Sequence, residues 1–193
     1  MSLRPRAMAL SAFVALSAIA CLPASAQSTY DGFLCCNLRT DGSWASDSNY
    51  AESGKRVLPV GTPVRVTGYG RNRVQIDVAG SKQAIGNDYS RDLDLGAFAQ
   101  RWVVTTDPTT RIAGFPPKIR EAIKQARVTK GMTREQVFMA VGYPITSENP
   151  TLDAPTLRYW ISSFSEYQIV FDNAGRVREI TTDPQTKNLV VMD

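Results

Sequence analysis

The side chains of this chain most suited to chemistry are two adjacent thiols, Cys35 and Cys36, with Cys21 the third cysteine. Neighbouring Cα atoms lie about 3.8 Å apart, below the usual span of a disulfide, so a bond between them closes a strained ring. Three states are open to the pair in an oxidising compartment: that ring, a bridge to another chain, or two buried thiols that stay reduced. On a strand the two point to opposite faces, one into the core and one towards a partner. A redox role requires surroundings that lower a thiol pKa. Two thiols are too few for a metal cage.

The chain has no histidine. This rules out Ser-His-Asp and Cys-His catalytic arrangements, His-based zinc sites and a His general base. It contains neither Ser-x-x-Lys nor a Walker A loop. Gly68-Tyr-Gly70-Arg-Asn-Arg73 begins like a dinucleotide loop but lacks the third Gly and a following helix pattern, and it reads as a hairpin turn. The expectation is a protein without catalytic residues, cofactor or metal.

Residues 1–26 carry Arg4 and Arg6, a mostly apolar run from Met8 to Leu22, and Ala24-Ser25-Ala26. That is the charged, apolar, small-residue order of a secretory signal peptide. The run falls short of the roughly 20 residues that span a bilayer, and Pro23 interrupts it. Cleavage after Ala26 is the expected processing and gives an exported, soluble chain. An alternative is read from Ala18-Ile19-Ala20-Cys21, which resembles a bacterial lipobox and would lipidate Cys21, tethering the chain to a membrane. Loss of residues 1–26 removes two Arg and no acid, lowering the formal charge from +4 to +2. The remaining basic residues are dispersed, so nucleic acid is not an expected partner.

Residues 27–105 read as a β-rich domain. Thr62-Pro63-Val64-Arg65-Val66 and Val74-Gln75-Ile76-Asp77-Val78 alternate apolar and polar side chains between turn residues, the pattern of a small all-β barrel or sandwich. Leu58-Pro59-Val60-Gly61-Thr62-Pro63-Val64 resembles the strand entry of bacterial SH3-like barrels, with Asn87-Asp88-Tyr89-Ser90 where a closing segment falls. A groove holding Trp44, Tyr50 and Tyr69 would stack on sugar faces of peptidoglycan, with Asp47 or Asn49 taking hydroxyl hydrogen bonds.

Residues 106–115 read as a linker, marked by Pro108, Thr and Gly, that runs through Pro116 and Pro117 into a helix. Ile119, Ala122, Ile123 and Ala126 form one apolar face of that helix, which is expected to end near Val128. A second helix runs from Thr133 to Val141. Thr133 and Gln136 form a capping box at its start, Gly142 supplies a left-handed C-cap, and Pro144 prevents its resumption. Three strands follow. Leu157, Tyr159 and Ile161 share one face, and Tyr167, Ile169 and Phe171 share another. Asp172-Asn173-Ala174-Gly175 is a hairpin loop into Val177 and Ile180, whose spacing breaks period two and predicts a bulge or a frayed strand. Residues 116–183 thus make an α+β module of two helices on a three-stranded antiparallel sheet, and 184–193 a tail.

Lys130-Gly131-Met132-Thr133-Arg134-Glu135-Gln136-Val137, Val141-Gly142-Tyr143-Pro144, Tyr159-Trp160 and Val170-Phe171-Asp172-Asn173-Ala174-Gly175-Arg176-Val177 together resemble the SmpA/OmlA family. That family includes the small lipoprotein subunit of the outer-membrane β-barrel assembly machine and shares its fold with β-lactamase-inhibitor-like modules. The resemblance spans residues 116–182; members usually lack the β-rich domain that precedes it here. It implies a non-enzymatic protein of the Gram-negative envelope, in the periplasm or at the periplasmic face of the outer membrane, that binds another envelope protein, with outer-membrane assembly components as expected partners. Trp160, Tyr143 and Tyr159 are the expected contact anchors. Peptidoglycan binding through Trp44, Tyr50 and Tyr69 is the alternative.

Overall fold

The computed structural model describes residues 27–52 and 54–193; the expected signal peptide and Cys21 lie outside the described residues. The chain is mixed α+β. Its N-terminal part forms β1 (Tyr30–Leu34), β2 (Leu38–Thr40), β3 (Trp44–Ser46), β4 (Arg56–Leu58), β5 (Pro63–Gly70), β6 (Arg73–Val78), β7 (Ser81–Gly86), α1 (Leu95–Trp102) and β8 (Val103–Val104). Six of these strands join in the order β3-β7-β6-β5-β1-β8, and β2 pairs with β4. All the pairings are antiparallel except β3 with β7. The alternation read from sequence sets the register: Val64, Val66, Val74, Ile76 and Val78 are buried, whereas Arg65 and Gln75 face solvent. Gly70 pairs with Arg73, so Gly68–Arg73 is the hairpin turn its composition indicates.

This part is not all-β. Asp94 caps α1, its carboxylate accepting from the Ala97 amide at 2.9 Å. Phe98, Ala99 and Trp102 then pack into the core of the β-rich half. One short helical face carrying Gly96 gives too weak a period to stand out among turn-rich strands. Asn87–Ser90, the expected closing segment, is a bend that follows β7.

The C-terminal part forms α2 (Thr109–Ala113), α3 (Pro117–Lys124), α4 (Arg134–Val141), β9 (Thr156–Ser162), β10 (Ser165–Phe171), β11 (Val177–Thr181) and α5 (Pro184–Val190). The last three strands make an antiparallel sheet in the order β11-β10-β9. Ile119, Ile123, Val137 and Ala140 from the helices share a core with Leu157, Tyr159, Ile161, Tyr167, Ile169 and Phe171 from the sheet. The capping box is present: Gln136 donates its amide to the Thr133 hydroxyl, and the Thr133 amide donates to the Gln136 side chain. The register shifts where Phe171 meets Val177, and the hairpin loop holds Gly175 at φ +70°.

Four boundaries differ from the sequence reading. The 106–115 segment contains α2. The 184–193 segment is no tail, because Asp183 caps α5 through the Gln185 and Thr186 amides and Val190 is buried. α3 stops at Lys124, and Ala126 at φ +53° turns the chain towards a bridge between Val128 and Val191. Gly142 has the positive φ expected of a C-cap, +88°, but its ψ of 177° is extended, not left-handed helical. A Cβ there would lie 3.0 Å from the Trp102 ring and 3.1 Å from Asn49 Nδ2, so close approach of the two halves sets this glycine.

Candidate functional site

Three places hold the candidate residues: the sheet face turned away from α3 and α4, the aromatics of the β-rich half, and the seam between the halves. On the sheet, strand alternation sends Arg158, Trp160, Glu166 and Gln168 to the face opposite the core. Trp160 is half-buried and donates Nε1–H to Glu148 at 2.8 Å. Arg158 pairs with Glu166 at 3.2 Å, and Gln168 donates to Glu166 at 2.7 Å. This ordered polar surface surrounds one aromatic ring. At the tip of the β9–β10 hairpin, Phe164 is 95 % exposed. Sequence reasoning passed over Phe164, since a single aromatic between serines has no period; its place in a tight turn was the available signal.

Two expected anchors are corrected. Tyr159 is 6 % exposed, stacks on Tyr167 in the core and donates its hydroxyl to the Gly142 carbonyl, so no partner reaches it. Burial pushes its phenol well above the ordinary range. Tyr143 is half-buried on the seam and away from the sheet face; Phe138 stacks on its ring and the Arg101 guanidinium lies 5.6 Å from the ring centroid.

The aromatics proposed for sugar stacking do not converge. Trp44 is on β3 and Tyr69 on β5, with β7 and β6 between them, a separation of three strand spacings or roughly 14 Å. The Arg73 guanidinium covers the Trp44 ring at 4.3 Å, and Gly86 lies against that ring. Tyr69 donates to the Ser28 carbonyl, and Tyr50 is half-buried. Asp47 and Asn49 are both buried. Asp47 accepts from the Asp88 and Tyr89 amides, and desolvation raises its carboxyl pKa. Neither side chain is left for a sugar hydroxyl.

The seam has the most developed polar chemistry. A helix leaves its last four carbonyls without internal partners. In α4, Phe138 O accepts from the Gly142 amide at 2.8 Å. The other three are met from the β-rich half: Met139 O by the Asn37 amide at 3.0 Å, Ala140 O by Asn37 Nδ2 at 2.9 Å, and Val141 O by Asn49 Nδ2 at 2.8 Å. Asn37 Nδ2 also donates to Ile123 O in the last turn of α3, and its Oδ1 accepts from the Val60 amide at 2.9 Å. Buried Arg39 extends the network through the Asn49 side chain and backbone; its desolvation lowers the guanidinium pKa. Polar side chains of one half therefore cap the helices of the other.

Cys35 and Cys36 immediately precede Asn37. They lie in a bend after β1, so the opposite-face placement expected of a strand does not apply, and both are buried and joined in a disulfide. Beside Cys35 is a cavity of about 340 Å³ walled by Val104, Pro108, Phe138, Met139 and Tyr143. Arg111 and Glu135 form an ion pair at its lining, with Arg111 Nη2 donating to Glu135 at 2.6 Å. Among the described residues, no group of three or more Cys, Asp or Glu is arranged to hold a metal ion, and no helix is long and apolar enough to cross a membrane. No protein-family model, curated protein or solved structure matches this chain, so its function is argued from its own geometry.

Proposed function

We propose that the chain is a non-catalytic, exported protein of the Gram-negative envelope that binds another envelope protein through the β9–β10 hairpin and the adjoining sheet face. The SH3-like character of the β-rich half and the SmpA/OmlA-like character of residues 116–182 belong to this proposal, as does a role in outer-membrane assembly or integrity. The observation that carries it is Phe164, almost wholly exposed at the hairpin tip. Burying a Phe side chain is worth about 1.5–3 kcal/mol relative to leaving it in water, and a partner pocket recovers that energy. Trp160 lies on the same hairpin and, held by Glu148 from the segment before β9, supplies a second ring already fixed in one orientation. Aromatic anchors of this kind dominate interface energetics.

The test places a photocrosslinking amino acid at position 164 in living cells. A discrete adduct with an envelope protein is expected, and Phe164→Ala is expected to weaken the purified complex about 30-fold, corresponding to roughly 2 kcal/mol. The same variant keeps the wild-type thermal unfolding, because the exposed ring contributes little to the fold. A crosslink at 164 no more discrete than one from exposed Lys82 on β7 refutes the docking face.

A further inference from the structure

The docking face makes no use of the disulfide at the seam. Its two residues differ in access: Cys35 is 8 % exposed and lines the 340 Å³ cavity, whereas Cys36 is at 0 % and does not border it. Thiol–disulfide exchange requires an attacking sulfur to reach one member of the bond and expel the other. Here only Cys35 has space beside it; Cys36 is enclosed by the core of the β-rich half. The cavity falls within the roughly 300–1,000 Å³ of small-ligand sites and lies between two halves of a chain, where such sites concentrate. Its walls are apolar at Val104, Pro108, Phe138 and Met139, with Asp107, Arg111 and Glu135 as the charged lining. At 8 % exposure Cys35 offers little surface to a protein reductant, whereas a small thiol needs only the cavity beside it.

We propose that this cavity is a thiol–disulfide exchange site for a small-molecule thiol, with Cys35 as the sulfur attacked and Cys36 as the sulfur expelled. The incoming thiol loses its proton, its sulfur bonds to Cys35, the Cys35–Cys36 bond breaks, and Cys36 leaves as a thiolate that takes the proton. A second molecule of thiol attacks the ligand sulfur of the mixed disulfide and releases Cys35 as a thiol. Two small thiols are thereby oxidised to their disulfide while the protein disulfide is reduced to two thiols. The small disulfide drives the reverse reaction and restores the bond.

The experiment exposes the folded full chain to cysteamine, quenches with acid while only a small fraction of the bond has reacted, unfolds and alkylates, and locates the adducts by peptide mass spectrometry. Cysteamine on Cys35 with the alkyl group on Cys36 is expected in at least about tenfold excess over the reverse, as attack at one sulfur requires. Equal labelling, an excess on Cys36, or a bond untouched in the folded chain at thiol levels that reduce it in urea overturns the assignment. Faster reduction by thioredoxin than by cysteamine at equal thiol concentration overturns the small-thiol class. Val104→Trp narrows the cavity and is expected to slow adduct formation at least about tenfold in the folded chain, with no change in urea. An unchanged rate in that folded variant removes the cavity from the mechanism. The wild-type labelling ratio decides the site whether or not the variant folds.

Discussion

Replacing Asn37 with Ala tests whether the two halves are one cooperative unit. The substitution deletes three side-chain hydrogen bonds, to Ile123 O at 2.6 Å, Ala140 O at 2.9 Å and the Val60 amide at 2.9 Å. Each such bond is worth about 1 kcal/mol net, and a buried group left without a partner costs a further 1–3 kcal/mol or so. The seam is closed to water at Asn37, so at least one of the stranded carbonyls bears that penalty. The expected loss is about 4 kcal/mol, a large share of the 5–15 kcal/mol or so that holds a typical domain folded. The assay is urea unfolding followed by far-UV circular dichroism and tryptophan fluorescence, with Trp102 buried at the seam as reporter. The wild type should unfold in one transition by both probes. The Asn37→Ala midpoint should fall by about 2 M at a slope near 2 kcal/mol/M. Asn37→Asp keeps the volume but turns a carboxylate oxygen towards the Ile123 and Ala140 carbonyls, and is expected to be at least as damaging at neutral pH. A loss below about 1 kcal/mol for Asn37→Ala, or two separate wild-type transitions, would refute the interlocked seam.

The seam and the β-rich half give two more predictions. Gly142→Ala combines a φ of +88° with a Cβ pressed against Trp102 and Asn49, and is expected to cost about 2 kcal/mol by thermal unfolding; an unchanged Tm refutes it. The Tyr30 hydroxyl donates to Val103 O, and burial, helped by neighbouring Tyr69, pushes its phenol up to about 12. Between the ordinary tyrosine value near 10 and about 12 the folded state therefore holds a proton that the unfolded state has lost, so stability falls as pH rises through that window. Tyr30→Phe should reduce that slope in pH-dependent urea titrations, and an unaltered slope contradicts the assignment.

The strands and helices of the C-terminal half were readable because their periods are unmixed. Leu157-x-Tyr159-x-Ile161 and Tyr167-x-Ile169-x-Phe171 alternate without interruption, and Ile119, Ala122 and Ile123 keep one helical face. The helices α2 and α5 escaped because each is under two turns long, and an apolar stripe of that length does not separate from turn composition. Helix α1 equals α3 and α4 at eight residues but opens with neither the proline of α3 nor the capping box of α4. The docking residues divided in the same way. Tyr159 and Trp160 are adjacent letters of equal aromatic character, and their assignment to core or surface depends on which sheet face the helices cover.

Local chemistry determined the capping box of Thr133 and Gln136, the hairpin at Asp172–Gly175, the inward face of each C-terminal strand, and the lack of any histidine-based catalysis. Each rests on neighbours within a few residues or on composition alone. Tertiary structure alone decided that Asn37 and Asn49 would cap α4 from about 90 to 100 residues away in the chain, that Gly142 would be set by Trp102, and that Cys35 but not Cys36 would border a cavity. Those contacts depend on how two cores meet, and neither a period of two nor one of 3.6 residues carries that information.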